Sequence, residues 1–314
     1  MKKYKPVSLK KVKTYSISER KSKVSLFNLA APPVKGETFK QFLDKLPDLL
    51  AVNDFKAVVR AIVRARRNER PVILGMGAHP IKVGLSPVII NLVQKGIITA
   101  IATNGACIVH DFELSFIGHT SEDVGQELCT GNFGMARETG KYLNKAINDG
   151  ITKGYGIGEA VGEMIYGSKF GFKGKSIFAS AHEHDIPATV HVAIGTDIIH
   201  MHPDADGTAI GEGSHRDFKL FASAVSDLED GVYINLGSAV VMPEVFLKAL
   251  TIARNLGNKV RNITTVNMDF IQHYRPTANV LKRPTMGNGA CYALTGHHEI
   301  MFPFLAAALT EELV

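Results

Sequence analysis

Five short apolar runs, rich in β-branched residues, punctuate the chain at positions 71–78, 97–102, 188–195, 231–239 and 261–270. Runs of this length bounded by turn residues read as buried strands. Most of them stop at Gly or Asn-Gly. Between them, apolar positions recur at helical spacing. Phe39, Phe42, Leu43, Leu46 and Leu49/Leu50 share one face over 38–50, and Phe55, Val58, Val59, Ile62 and Val63 do so over 54–67. Arg60, Arg64, Arg66 and Arg67 decorate the other side of the second segment, as a solvated face does. A helix is predicted over 86–95, with Ser86 as N-cap, Pro87 at its first position and Gly96 as its stop. Others are predicted over 133–148 (ended by Gly150), 158–166, 175–184, 245–256 and 297–313, and Thr120-Ser121-Glu122-Asp123 opens one more. Strands alternating with helices predict an α/β fold. The sheet is doubly wound, mostly parallel and covered on both faces, and it carries an N-terminal helical extension.

In such sheets ligands bind in the crevice outside the carboxyl ends of the strands. The run at 97–102 leads through Thr103-Asn104-Gly105-Ala106 to His110, Asp111 and Glu113, three titratable groups within four positions. An ordinary surface turn followed by a half-exposed helix gives the same pattern, so both readings stand. Gly75-x-Gly77 is a fragment of a dinucleotide fingerprint, with Pro80 where a third glycine belongs. Gly237-Ser238-Ala239 precede a helix whose N-terminus suits an anionic phosphate. Asp269 ends the last run, where an acid accepts hydrogen bonds from ribose hydroxyls or caps a turn. Asp197, His200, His202, Asp204 and Asp206, with His182-Glu183-His184 upstream, are metal-ligand types. Their spacing matches known sites only loosely and no H-E-x-x-H occurs, so no metal is expected.

Composition narrows the class. At 314 residues, 45% apolar and 21% charged, the chain matches soluble globular proteins, and no apolar run reaches membrane-spanning length. The basic start is not followed by the apolar segment of a secretory leader. Cys107, Cys129 and Cys291 are odd in number and far apart, which fits a reducing cytoplasm. The net charge of +6 belongs to a tail: residues 1–24 carry +8, leaving −2 for the rest. The tail lacks Arg clusters and any RNA-binding motif, which points to an arm used in subunit contacts rather than to nucleic acid. Pro32-Pro33 close an extended connector, so the expected division is a basic arm and connector over 1–33 and a single α/β NAD-binding-type domain over 34–314.

Three motifs carry a family resemblance. Thr103-Asn104-Gly105-Ala106, His110-Asp111-Phe112-Glu113 and Gly118-His119-Thr120-Ser121-Glu122-Asp123-Val124 resemble the deoxyhypusine synthase family, especially its synthase-like members. The likeness runs from about Pro71 to the C-terminus and also covers 74–84 and 233–276. It implies a Rossmann-like fold and a homotetramer that binds NAD at subunit interfaces. In such enzymes spermidine is oxidised, and its butylamine group passes as an imine to an enzyme lysine and then to an acceptor. By this resemblance Gly75, Gly77, Ala78, Asn104, Gly105, Ala106, Gly237, Ser238 and Asp269 match the NAD-contacting loops. His110, Asp111 and Glu113 fall near an acidic pair, and Asp197 near an amine-binding acid. Lys282, His110 and Asp111 are then the catalytic candidates, with Glu113 and Asp197 binding substrate.

The departures shape the expected activity. Lys282 follows Arg275-Pro276 about two places earlier than the family lysine and stands beside Arg283. The chain has no Trp, so the family's pocket tryptophan is absent. A Gly-Ser-Asp-Ser-Gly substrate loop is shortened to Ile271-Gln272-His273-Tyr274, and a substrate-contacting His is replaced around Pro243-Glu244. The expectation is an NAD-dependent aminobutyl transferase that acts on a polyamine or another small cationic amine through a lysine imine. Its acceptor would be a small amine, as in homospermidine synthesis, rather than a protein lysine. Two alternatives remain: a diverged enzyme on another amine or amidine that uses the His/Asp cluster, and a non-catalytic binding protein.

Overall fold

The computed structural model describes residues 3–313. The chain divides into two compact units, Met1–Leu49 and Leu50–Val314. The first holds three single-turn 3-10 segments, Leu9–Lys11, Ile17–Glu19 and Leu26–Asn28, and helix α1 (Phe39–Asp44). Thr38 and Gln41 form a reciprocal capping box at the start of α1. The helix expected over 38–50 stops early because Pro47 cannot donate within it and disfavours the helical conformation just before itself. Helix α1 belongs to the first of these units, which ends at Leu49.

The second unit is built on six strands: β1 (Val72–Met76), β2 (Ala100–Asn104), β3 (Ala188–His191), β4 (Val232–Leu236), β5 (Thr264–Asp269) and β6 (Ala290–Thr295). All pairings are parallel, in the order β3-β2-β1-β4-β5-β6. The helices are α2 (Leu50–Arg67), α3 (His79–Lys82), α4 (Ser86–Gln94), α5 (Gly105–Ile117), α6 (Val124–Thr130), α7 (Arg137–Thr152) and α8 (Ile157–Tyr166). There follow α9 (Ile177–Glu183), α10 (Gly207–Ser226), α11 (Val241–Asn255), α12 (Tyr274–Pro276), which continues as a π-helical stretch Thr277–Lys282, and α13 (His298–Leu313). The fold is therefore α/β and doubly wound, as the alternation predicts. Among the described residues no helix is long and apolar enough to cross a membrane.

Local departures have local causes. Strand β6 is at the sheet edge and its residues alternate between half-buried and exposed up to Leu294, so it lacks the continuous apolar signal of the other five. Ser86 is not an N-cap: Leu85 holds that position, and the buried Ser86 hydroxyl has no partner among the described residues. Gly150 does not end α7; it sits inside the helix because a Cβ there would collide with Ala160 of α8.

The packing under β4 decides one site residue. Tyr233 is fully buried and stacks on Phe246 with ring centroids 3.8 Å apart. Its hydroxyl points at Gly75, where any Cβ would overlap the phenol oxygen. Gly75, expected to contact a cofactor, makes room for a core tyrosine. Among the described residues the Tyr233 hydroxyl has no hydrogen-bond partner, and burial pushes its pKa far up.

Candidate active site

The strand order reverses between β1 and β4, and at that point the following segments leave to opposite sides and open a crevice at the carboxyl ends. Its floor is backbone. Gly77 follows β1 and Gly237 follows β4, and a Cβ on Gly77 would stand 2.5 Å from the Gly237 carbonyl. Gly237 has φ +62°, a conformation that favours glycine, and a Cβ there would meet the His298 ring. Ser238 Oγ accepts from Met242 N (3.2 Å), at the start of α11. An amide chain crosses the strand ends: Asn235 donates to Asn267 (2.7 Å), Asn267 to Gln272 (2.7 Å), and Gln272 to Thr295 (3.2 Å).

Asp269 is buried at the end of β5 and accepts from Phe270 N (2.8 Å). His298 Nε2 lies 3.6 Å from the Asp269 carboxylate, and its buried Nδ1 has no partner among the described residues. Desolvation holds His298 below the ordinary histidine range against the opposing charge of Asp269. The His79 ring stands edge-on to it at 5.3 Å. Sequence reading had picked neither histidine. His79 directly follows the Gly-Ala exit of β1, and that position was its one signal.

A second depression of about 200 Å³ opens beside this crevice, at the ends of β1, β2 and β3. Ala106, Val109 and Phe133 line its walls, and Lys82, His110, Glu113, Glu122 and Asp197 its polar side. Helix α5 starts on Gly105 directly from β2, so Ala106, Val109/His110 and Glu113 fall on one face at helical spacing. Gly105 is required there because a Cβ would overlap the Asp197 carboxylate. His110 Nδ1 lies 2.7 Å from Thr120 Oγ1, which donates to Glu113 Oε2 at 2.6 Å. Thr139 donates to the other Glu113 oxygen (3.0 Å), and Gly134 N to Glu122 (2.9 Å). Desolvation, helped by the Lys82 charge, brings His110 down to about 4, so its ring is neutral at pH 7. Burial raises Asp197 to about 6.

Two expected catalytic residues are placed elsewhere. Asp111 is one position round the helix from His110 and faces inward, fully buried. It accepts from Ile177 N (2.7 Å), from Phe178 N (3.4 Å) and from the Ser176 hydroxyl, and so secures the start of α9. Burial raises it to about 6 despite those bonds. Lys282 is exposed at the end of the π-helical stretch. A parallel connection must return to the amino ends before the next strand begins. Just beyond Lys282, the Pro284 carbonyl accepts from Arg254, which also donates to Val260 ahead of β5. Lys282 is thus at the opposite end of the sheet from the pocket, and Lys82, which sequence reading passed over, is the lysine that lines it.

Of the expected cofactor residues, Gly77, Ala78, Gly237, Ser238 and Asp269 gather at the crevice. Ala106 faces the pocket, and Asn104 accepts from the Cys107 thiol (3.2 Å) at the head of α5. Among the described residues no three His, Cys, Asp or Glu side chains converge in a metal-binding group. His182 pairs with Glu159 (2.8 Å), His202 with the Gly134 carbonyl (2.8 Å), and Asp206 caps α10.

No protein-family model matches the chain, and no curated protein matches it in sequence. Solved structures share its fold. A LOR/SDH-type protein from Methanococcus maripaludis S2 is 18% identical over 83% of this chain and 70% of its own, with a TM-score of 0.51. ArgZ, an arginine dihydrolase of the ornithine–ammonia cycle in cyanobacteria, is 17% identical over 83% and 33%, with a TM-score of 0.51. A candidate deoxyhypusine synthase from Entamoeba histolytica is 15% identical over 88% and 94%, again with a TM-score of 0.51. This chain spans about a third of the length of ArgZ. At these identities the likeness establishes the fold.

Proposed function

We propose that the chain is an NAD-dependent enzyme of deoxyhypusine synthase-like fold that transfers an aminoalkyl group between small cationic amines through a lysine imine. The observation that carries this reading is the pocket beside the switch-point crevice, where Glu113, Glu122 and Asp197 surround one lysine. Three carboxylates attract and orient a molecule with two or more ammonium groups. The E. histolytica protein, a candidate deoxyhypusine synthase, spans nearly the same length, which agrees with this reading.

The crevice fits a dinucleotide in kind. Its floor carries no side chains at Gly77 and Gly237. Asp269 supplies a carboxylate at the end of β5. NAD, when bound, supplies the oxidation of a C–N bond and its later reversal. The chain's own residues do the rest: Glu122 and Asp197 hold the cation, and Ala106, Val109 and Phe133 exclude water from its methylene chain. A small acceptor suits a pocket of about 200 Å³ better than a protein lysine on its surface does. A homotetramer, as in the resembled family, belongs to the same reading.

A second reading has one observation in its favour. The neutral, oriented His110 suits acid–base work on an amine or amidine without any lysine adduct. Titration calorimetry with NAD, after a check for co-purified nucleotide, tests the first reading. Tight NAD binding, followed by borohydride trapping with spermidine, supports it. A folded protein that does not bind NAD overturns it in favour of the second. Light scattering on the same sample reads the oligomeric state.

A further inference from the structure

The hydrogen bonds around His110 fix which of its nitrogens carries the proton. The Thr120 hydroxyl hydrogen goes to Glu113 Oε2, because a carboxylate oxygen only accepts. Thr120 Oγ1 must therefore accept from His110, which puts the imidazole proton on Nδ1. Nε2 is left as a bare lone pair, and among the described residues it has no hydrogen-bond partner. Glu113 is itself held on its other oxygen by Thr139. The arrangement holds a neutral base in place, as hydrogen-bonded partners orient a working histidine.

Lys82 completes the group. It ends the four-residue helix α3 and lines the same pocket, near enough for its charge to act on His110. We infer that Lys82 is the nucleophile of this pocket toward a carbonyl or imine carbon, and that His110 Nε2 shuttles the proton from the Lys82 nitrogen to the departing group. Thr120 and Glu113 are positioning residues.

The step balances without any oxidant. Lys82, as the free amine, adds to the carbon and forms a C–N bond. One proton on its nitrogen passes through His110 Nε2 to the departing nitrogen of a protonated imine, and both pass in turn to the departing oxygen of a carbonyl. The bond from carbon to that atom breaks, an amine or water leaves, and Lys82 holds the imine. The Nδ1 proton is committed to Thr120, so the Nε2 lone pair of the neutral ring is the one open to the Lys82 proton. The charged groups that face His110 are Lys82 from α3, Glu113 from its own helix, Glu122 from the loop before α6, and Asp197 from the loop after β3. Glu122 and Asp197 stay free of the relay and bracket the far ammonium of the ligand.

The inference rests on the amine reading of the pocket but not on NAD, so the two fail separately. The full chain is incubated with 4-aminobutanal and cyanoborohydride without NAD, and the adducts are mapped by peptide mass spectrometry. Lys82 is expected to label at least about tenfold faster than any other lysine, Lys282 included. His110→Gln is expected to slow Lys82 labelling by about 10²-fold, the usual scale of general acid–base help. Thr120→Val is expected to slow it by about tenfold, with the half-saturating aldehyde concentration unchanged, and Thr120→Ser to restore the rate. Thr120→Ser also guards against a His110 variant that does not fold. Labelling of Lys82 no faster than exposed lysines, dominant labelling of Lys282, or a Thr120→Val rate equal to wild type overturns the inference. Lys82 labelling in a protein that does not bind NAD leaves it standing while the cofactor reading falls.

Discussion

Asp197 Oδ2 lies 4.0 Å from His200 Nε2, and among the described residues neither atom has a hydrogen-bond partner although both side chains are almost fully buried. Burial pushes Asp197 up to about 6 and His200 down, so it works against the charged form of each. An ammonium group arriving at Asp197 reverses this for the acid, because the ionised form gains a partner. Protons then compete with the amine. Amine affinity is expected to fall as pH drops below about 6, by up to tenfold per pH unit, and to level off above it. Asp197→Asn should abolish that dependence and weaken binding by about 2–5 kcal/mol, the cost of breaking a buried charged pair. Calorimetric titration with putrescine from pH 5 to pH 8 reads both, and a wild-type affinity flat across that range would remove Asp197 from the binding site.

The same shift has a consequence for stability. The folded pKa of Asp197, about 6, is above its ordinary 3.8, so between these values the folded chain keeps a proton that the unfolded chain has lost. Its contribution to stability is therefore greatest below about pH 4 and declines as pH rises to about 6. The full decline is on the order of 3 kcal/mol at 1.36 kcal/mol per pKa unit. Urea unfolding of wild type and Asp197→Asn at pH 4.5 and pH 7 should show the variant gaining relative stability at the higher pH. Equal differences at both values would contradict the burial argument.

The contrast between His110 and Asp111 shows what a sequence reveals and what it hides. Adjacent residues on a helix point about 100° apart, and here that turns His110 to the pocket and Asp111 into the interior. The strand ends, the glycine loops and the parallel sheet were legible because apolar runs and small residues report burial directly. The partner of Asp111 is the start of α9, sixty-six positions downstream, a pairing no local pattern discloses. Lys282 was misplaced for a related reason: which end of the sheet a connecting helix finishes on depends on the strand that follows, and β6 left too weak a signal to be seen. Lys82 and His79 were overlooked because α3 is a single turn with no periodicity to read.

Asp111→Ala tests the structural role directly. Removing the carboxylate leaves the Ile177 and Phe178 amides and the Ser176 hydroxyl without their acceptor in the interior. The expected loss is about 2–4 kcal/mol, read from denaturant midpoints with an unchanged m-value. At temperatures where the variant stays folded, Lys82 labelling should match wild type. Slow labelling in a folded Asp111→Ala protein would return this acid to the catalytic group.

Tyr233→Phe makes an opposite prediction for the core. The phenol oxygen is buried beside Gly75 with no partner, so the fold bears its desolvation and gains no hydrogen bond in return. Its removal should leave stability unchanged or raise it by up to about 1 kcal/mol. Gly75→Ala should cost more than 2 kcal/mol, roughly the range of overpacked cores, because the added methyl overlaps the ring that Phe246 holds in place. Combining the two should recover part of that loss, since the oxygen is the nearest of the overlapping atoms. A Gly75→Ala protein that is fully stable yet fails to bind NAD would give the glycine back to the cofactor.

Gly105→Ala separates the two halves of the site in one substitution. The position has ordinary helical geometry, so alanine would favour the first turn of α5 by itself. The added methyl nevertheless overlaps the Asp197 carboxylate, which must swing away or carry its loop with it. The crevice floor at Gly77 and Gly237 is formed by other strands and is untouched by that shift. Putrescine affinity is therefore expected to fall by at least about tenfold, toward that of Asp197→Asn, while NAD affinity stays within about twofold of wild type. Loss of NAD binding with amine binding intact would mean that the glycine at the head of α5 serves the nucleotide, and that the amine is held from the other walls of the pocket.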